Sequence, residues 1–350
     1  MCAGRSARLA VCTTLLVILT ALSAPARDRE VIRVSWKRAV NQPLSLAMST
    51  GRQHFGAVDK DGTVRFFDAN GRLLWSRQVE GATDVLIARN GTTLLVYSRL
   101  NPVHTSVYFF RGNGQQLWKH KVEGSVWSGA ISPDGTTAAV TTGDKRIYIY
   151  KPDPNRPKYR RWSLDGIGYQ VMFTPDNRRV LVGTWQESVL ACYDLQGEFQ
   201  WRSEYGDDRQ FELCVSADGM RILGMISGTQ HDPGIELRLW ESGSKELWRK
   251  TVEGFDGKAL ISPKSQYVAL SYASFLSKDD TDMVERKVGV YDDEGQLLWE
   301  KGGLFFGPRL VALSPTGDSV IVTDGEKSLF NIDRHGKILS KHMLGGKIRR

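Results

Sequence analysis

Short apolar runs, alternating with polar residues or rich in β-branched ones, recur along the chain between turns of Gly, Pro, Asp and Asn. One unit repeats. A first strand enters a reversal, as in Ala130-Ile131-Ser132-Pro133-Asp134-Gly135, Phe173-Thr174-Pro175-Asp176-Asn177, Val215-Ser216-Ala217-Asp218-Gly219 and Leu313-Ser314-Pro315-Thr316-Gly317. Pro presets φ for the second turn position, and Asp with Gly or Asn tolerates the tight reversal, so these segments predict hairpins. A β-branched second run follows (137–141, 180–183, 267–271, 319–323), then a third rich in Tyr, Phe and Val (107–110, 147–150, 189–193, 288–291). A Gly turn and a Trp-centred fourth run close the unit. Four short strands per unit argue against a helical solenoid.

The closing motif is clearest in Asp68-x-x-Gly71-x-x-x-Trp75, Gly114-x-x-x-Trp118, Asp194-x-x-Gly197-x-x-x-Trp201, Gly243-x-x-x-x-Trp248 and Asp292-x-x-Gly295-x-x-x-Trp299. Copies about 40–50 residues apart, built of short strands and Gly turns, predict a β-propeller with one four-stranded blade per repeat. Fourth strands centre on Trp36, Trp75, Trp118, Trp162, Trp201, Trp248, Trp299 and Ser340, whereas only seven first-to-second-strand turns occur, the early ones at Thr50-Gly51 and Asn90-Gly91. The expected fold is therefore all-β: a single seven-bladed propeller of antiparallel blades over residues 31–345, with residues 32–41 as a spare edge strand. An eight-bladed ring would need a further set of strands. Paired into the last blade, the spare strand would clasp the termini and remove an exposed sheet edge. The Trp positions are expected to pack on the neighbouring blade, since a large aromatic there buries much apolar area.

The first 26 residues stand apart. Arg5 and Arg8 precede an apolar run from Leu9 to Leu22 and then Ala24-Pro25-Ala26. This is the basic, apolar and small-residue order of a signal peptide. A retained anchor is the alternative, but about 14 apolar residues fall short of the ~20 that span a bilayer. The expected organisation is a signal peptide at 1–26 and a propeller domain at 27–350, in the periplasm or outside the cell. Cleavage removes Arg5 and Arg8 and no acid, taking the net charge from +8 to +6. Both signs are interspersed apart from Lys347-Ile348-Arg349-Arg350. Nucleic-acid binding, which favours a basic stripe with stacking aromatics, is not expected. Cleavage also leaves only Cys192 and Cys214, a third and a first strand of successive repeats, expected as buried free thiols.

The Asp-x-x-Gly-x-x-x-Trp closure resembles the repeat of quinoprotein-like (PQQ-type) β-propellers, and the Ser-Pro-Asp-Gly turns are similar to those of WD40-like and TolB-like repeats. The resemblance covers nearly all of residues 27–350. For quinoprotein dehydrogenases it implies a PQQ stacked between a tryptophan and a disulfide of adjacent cysteines, with bound calcium. No two cysteines are adjacent here, so no cofactor is expected. A second relative, the bacterial outer-membrane assembly lipoprotein with an eight-bladed PQQ-like propeller, implies an envelope scaffold. Propellers host unrelated functions, so the site must decide.

Catalytic signatures are sparse. The six histidines (His54, His104, His120, His231, His335, His342) form no pair with metal-ligand spacing and read mostly as surface imidazoles. No Gly-x-Ser-x-Gly elbow occurs, and Asp59-Lys60-Asp61-Gly62 reads as a hairpin turn, lacking the closing Glu of a calcium loop. No catalytic, cofactor or metal residue is assigned. The second-to-third-strand connections lengthen at 99–105, 227–234 and 274–287, on the face that also carries the links between blades. Long loops on a rigid ring are where binding usually resides. Partner contacts are expected at His231, Asp232, Asp279, Asp280 and Asp282; a solvated hairpin tip is the alternative. Trp127, Trp185 and Phe305-Phe306 lie near blade entrances and could line the same face or pack in the core. The expected function is a non-catalytic exported scaffold for another protein or an envelope component. The competing class is a quinoprotein-like or metal-dependent enzyme with its site at the channel mouth.

Overall fold

The computed structural model describes residues 15–20 and 33–39 and, apart from short breaks, 43–343. Among the described residues there is no helix, and so none long and apolar enough to cross a membrane. Seven four-stranded antiparallel sheets follow one another in strict sequence order. Blade 1 is Pro43–Met48, His54–Asp59, Thr63–Asp68 and Leu73–Gln78 (β3–β6). Blade 2 is Asp84–Ile87, Thr93–Tyr97, Ser106–Arg111 and Gln116–Lys121 (β7–β10). Blade 3 is Val126–Ile131, Ala138–Thr142, Arg146–Lys151 and Lys158–Ser163 (β11–β14). Blade 4 is Ile167–Phe173, Arg179–Trp185, Val189–Asp194 and Phe199–Glu204 (β15–β18). Blade 5 is Gln210–Val215, Arg221–Ser227, Ile235–Glu241 and Glu246–Val252 (β19–β22). Blade 6 is Phe255–Ile261, Tyr267–Ser277, Asp280–Asp292 and Leu297–Lys301 (β23–β26). Blade 7 is Arg309–Leu313, Ser319–Thr323, Ser328–Asp333 and Ile338–Met343 (β27–β30).

The expected terminal clasp is not what forms. Arg33–Ala39 (β2) pairs antiparallel with Leu15–Thr20 (β1), Leu15 lying opposite Ala39 and Thr20 opposite Arg33. The last blade completes itself with β30. Two physical reasons combine: the apolar Leu15–Thr20 segment offers β2 a ladder partner, and the Ser340 strand already covers the edge that β2 would have taken.

The repeat motifs are local turn chemistry. In Asp-x-x-Gly, the aspartate Oδ1 accepts from the amides two and four residues on: from Asn70 and Arg72 at Asp68, from Gln196 and Glu198 at Asp194, and from Glu294 and Gln296 at Asp292. The glycine then takes a positive φ, 74° at Gly71 and 79° at Gly295, which costs a side-chain-bearing residue. In the Ser-Pro-Asp-Gly turn, Asp134 accepts from the Thr136 amide and Ser132 Oγ from the Thr137 amide. Gly51, Ala217 and Gly243 themselves lie outside the described residues.

Burial lies between blades rather than within any one. Phe66, Leu94, Val96 and Phe110 fill the space between blades 1 and 2, and Ile149, Val171, Val180 and Val182 that between blades 3 and 4. Inner strands are also stitched across blades: Ser45 Oγ accepts from the Val85 amide, Ser128 Oγ from the Val171 amide, and Gln170 bonds both the amide and the carbonyl of Leu213. Cys192 and Cys214 are free thiols, Cys192 buried as expected but Cys214 only half-buried.

Candidate interaction face

Antiparallel order forces alternate connections onto opposite ends of each blade, so the second-to-third-strand connections and the inter-blade links share one face. The three lengthened segments therefore lie on one side of the ring, but not together. The 227–234 and 274–287 segments belong to the adjacent blades 5 and 6, whereas 99–105 belongs to blade 2.

The 274–287 segment is a regular hairpin rather than a loop. Its strands, Tyr267–Ser277 and Asp280–Asp292, are 11 and 13 residues long against five to seven in the other second and third strands. Its base is anchored. Phe275 packs on Phe255 with ring centroids 5.2 Å apart, Arg286 reaches Asp256 at 3.6 Å, and Lys287 bridges Glu285 and Glu300. The Tyr272 hydroxyl donates to Glu300; burial first, and that carboxylate second, push its pKa far up.

Blade 5 joins the same ridge. Thr229 and Asp232 exchange backbone hydrogen bonds of 3.0 and 3.2 Å, making a tight turn that presents His231 and Asp232 to solvent. The Gly228 amide donates to the Gly234 carbonyl and the Gly234 amide to Gly254, while the Asp256 amide donates to the Gly228 carbonyl at 3.4 Å. Asp256 thus holds the turn through its backbone and the hairpin, at Arg286, through its carboxylate. Asp280 lies opposite Ser277 near the hairpin tip and Asp282 follows in the same strand, so Asp280 and Asp282 share one element, apart from His231 and Asp232. Asp279 and Phe305-Phe306 lie outside the described residues.

Blade 2 contributes a different surface. Leu100 donates its amide to the Val126 carbonyl, Arg99 Nε donates to the Trp127 carbonyl, and the Asn101 side chain accepts from the Val103 and His104 amides. The segment is ordered yet leaves Val103 75% exposed. Next to it, Trp127 meets Trp185 at 5.4 Å and Tyr169 at 6.2 Å. All three rings are half-buried and lie outside the inter-blade cores. The tryptophans were readable from sequence. Tyr169 was missed, because its contact joins the first strands of two blades and leaves no spacing signal.

The opposite face is closed by its own turns. Asn90 Nδ2 donates to the Asp134 carbonyl, the Asp134 amide to Asn177 Oδ1, and Ser265 Oγ to Asp218 Oδ1. A channel cavity of about 550 Å³ opens there, lined by Ser128, Gln170, Val171, Val215, Pro175 and Pro263. No group of three or more His, Cys, Asp or Glu among the described residues is placed to hold a metal ion. The residues do not fit a PQQ site of the quinoprotein kind either, since Cys192 and Cys214 are free thiols on different blades, with burial pushing both up to about 12. Of the histidines, His54 stacks on Phe66 at 5.1 Å and His120 is half-buried, so neither is an ordinary surface imidazole.

The fold and these surfaces define a seven-bladed all-β propeller. Solved structures agree. The Dos1 propeller aligns with a TM-score of 0.66 at 12% identity, covering 86% of this chain and 84% of that one. The β-propeller domain of Myceliophteria thermophila Cps50 (Swd1) gives 0.59 at 12% identity, with 83% and 95% covered. Kuenenia stuttgartiensis hydrazine synthase gives 0.56 at 14% identity, with 74% and 78% covered. At such identities the likeness shows the fold alone. No family model and no curated protein matches the sequence.

Proposed function

We propose that this propeller is a non-catalytic, exported scaffold that binds another protein or an envelope component through the face bearing its lengthened connections. The observation that carries this reading is the anchored ridge of blades 5 and 6, where Asp256 ties the 229–232 turn to the long hairpin. Blade cores dictate their residues by packing. The hairpin's aromatic contact with the blade ends at Phe275, and Leu276 just past it is 56% exposed, so the extra length points to contact with something else. A rigid base under exposed side chains also lowers the ordering cost of association. The contact residues in this reading are His231, Asp232, Asp279, Asp280 and Asp282. The PQQ-type relationship and the cleaved leader of residues 1–26 belong to the same proposal.

The test is affinity capture from envelope extract with the mature chain as bait. Partners retained by the wild type should be lost when residues 276–283 are replaced by a two-residue turn and His231 and Asp232 are changed to alanine. If capture survives that variant and is abolished instead by changes at Arg89 and Arg179, which line a second cavity on the opposite face, the wrong side has been chosen.

A further inference from the structure

A second surface lies on the outer rim, between blades 2 and 3. Their outermost strands, β10 and β14, carry Lys119, Lys121, Lys158, Arg160 and Arg161 and no acid. Lysine and arginine on edge strands also discourage edge-to-edge pairing, and charge alone would mean only that. Three further features go beyond edge protection.

The strand register puts Arg146, Tyr148 and Tyr150 of β13 on one face, with Ser163, Arg161 and Tyr159 of β14 directly opposite them. That face looks toward β10. His120 Nδ1 lies 2.8 Å from the Tyr150 hydroxyl, and its ring centroid is 4.4 Å from that of Tyr159. Tyr159 is 42% exposed, an aromatic face left open at the rim.

At the head of this cleft the Glu123 carboxylate sits between two guanidiniums. It pairs with Arg146 through one oxygen and with Arg161 through the other, at 3.2 Å. Glu123 is itself 62% exposed and comes from the short link between the blades. Hydrogen bonds from Arg161 and then Arg146 hold its carboxyl below the usual range. Beneath the pair lies the Tyr148 side chain, 1% exposed, its hydroxyl buried without a hydrogen bond of good geometry. A forked pair of guanidiniums is a carboxylate receptor by shape and charge. An exposed carboxylate of this chain already fills it.

We propose that the blade 2–blade 3 rim cleft is a docking groove for an extended acidic peptide, one of whose carboxylates displaces Glu123 from Arg146 and Arg161. The flanking side chains of the peptide then run along β14, across Tyr159 and beside Lys158 and Arg160. The class of partner is argued from the present occupant: the group that satisfies the two arginines is a protein carboxylate. A single open aromatic face is also poor provision for nucleic acid, whose grooves offer stacking platforms to successive bases. This groove is on the rim and stands independently of the ridge on blades 5 and 6.

The experiment is fluorescence anisotropy of a labelled decaglutamate peptide titrated with the full chain at low and physiological salt. Saturable binding is expected, weakened roughly tenfold or more by Arg161→Glu and by the milder Arg161→Gln, the scale of losing a charge-assisted hydrogen bond. Arg249→Glu on blade 5 should change it little. The discriminating variant is Glu123→Gln, which removes the one carboxylate shared by both arginines, leaving Asp144 on Arg146 at 3.1 Å, and should tighten binding several-fold, whereas Glu246→Gln, the same charge change beside Arg249, should not. Equal gains from Glu123→Gln and Glu246→Gln would reduce the effect to net charge and overturn the proposal. So would indifference to both Arg161 substitutions in chains whose thermal unfolding matches the wild type. Heparin or a single-stranded oligonucleotide displacing the peptide at a lower charge concentration than unlabelled decaglutamate would overturn the class of partner.

Discussion

The Trp75 indole rests on Gly114 of the following blade, and its Nε1 donates to the Gly112 carbonyl at 2.9 Å. A Cβ on Gly114 would approach Trp75 Cγ to 3.0 Å. The same relation links Trp162 to Gly197 and Trp248 to Gly295, the latter with Trp248 Nε1 donating to the Asp293 carbonyl. The Gly and the Trp of one motif are therefore not each other's partners. In these three cases the glycine comes from the blade after the tryptophan, whereas Trp118 stacks on Tyr150 of the following blade, whose 152–157 connection carries no glycine.

Gly114→Ala should lower the melting temperature more than Gly303→Ala. Both glycines have positive φ, 85° and 66°, and a left-handed alanine costs about 1–2 kcal/mol at either. Only Gly114 faces an indole; Gly303 has open space. Differential scanning calorimetry of the two variants isolates the Trp75 contact, and equal shifts would remove the latch from the account.

Acid should loosen the Ser-Pro-Asp-Gly face first. Burial alone would raise the carboxyls of Asp134, Asp176 and Asp218, but hydrogen bonds from Ser132, Thr174 and Ser265, with those of the turn amides, more than offset it and hold all three below the ordinary value. A depressed folded pKa contributes stability present above the unfolded value, about 3.9, and lost as pH falls through the folded one. Melting temperature should thus drop as pH falls below about 4, and the drop should be shallower in the Asp134→Asn, Asp176→Asn, Asp218→Asn variant. The three groups are largely exposed, so each contributes modestly. A variant profile parallel to that of the wild type would count against this assignment.

The two thiols should be inert in the folded protein. Burial pushes Cys192 and Cys214 up to about 12, leaving almost no thiolate at pH 8. Ellman's reagent should titrate neither in native buffer and both in guanidinium. Rapid modification of buried Cys192 in the native state would show an opening absent from the fold, and rapid modification of half-buried Cys214 would count against its raised pKa.

Trimming the blade 6 hairpin should spare the fold only if the cut falls beyond Phe275. Replacing 276–283 keeps the Phe275–Phe255 contact and the Arg286 and Lys287 pairs, so stability should change by about 0.5 kcal/mol or less, as for other surface changes. Removing 274–287 whole would strip these anchors and should lower the melting temperature further. Thermal unfolding of both deletions checks the difference.

If the proposed leader is cleaved on export, N-terminal sequencing should begin near Arg27. In that chain β2 has lost β1, and the amides of residues 33–39 should exchange faster than in a precursor with an uncleavable leader. A Met1 start on membrane-extracted protein would mean an anchor instead.

Blade number, strand order and turn sites were legible because each rests on chemistry within about ten residues: Asp oxygens capping amides two and four along, glycines at positive φ, β-branched runs. The candidate face was legible only in part. His231 and Asp232 stand exposed as their polarity suggests, but their link through Asp256 to Arg286 joins residues of different blades. The 274–287 insertion read as a loop because its acids and lysines mask a ladder that closes only when Phe275 finds Phe255. The Glu123 clamp left no trace, since Arg146 and Arg161 meet it across three separate segments.

What the sequence by itself determined is the repeat: hairpins, Gly turns and the periodic tryptophan follow from backbone geometry and alternation within each unit. What only the tertiary structure decided is which unit touches which. Trp75, Trp162 and Trp248 each find their glycine one blade on, β2 finds Leu15–Thr20 rather than the last blade, and two of the three insertions fall side by side while the third does not. The physical reason is that local turn energies depend on neighbours in the chain, whereas these contacts are set by the angular placement of whole sheets around a common axis.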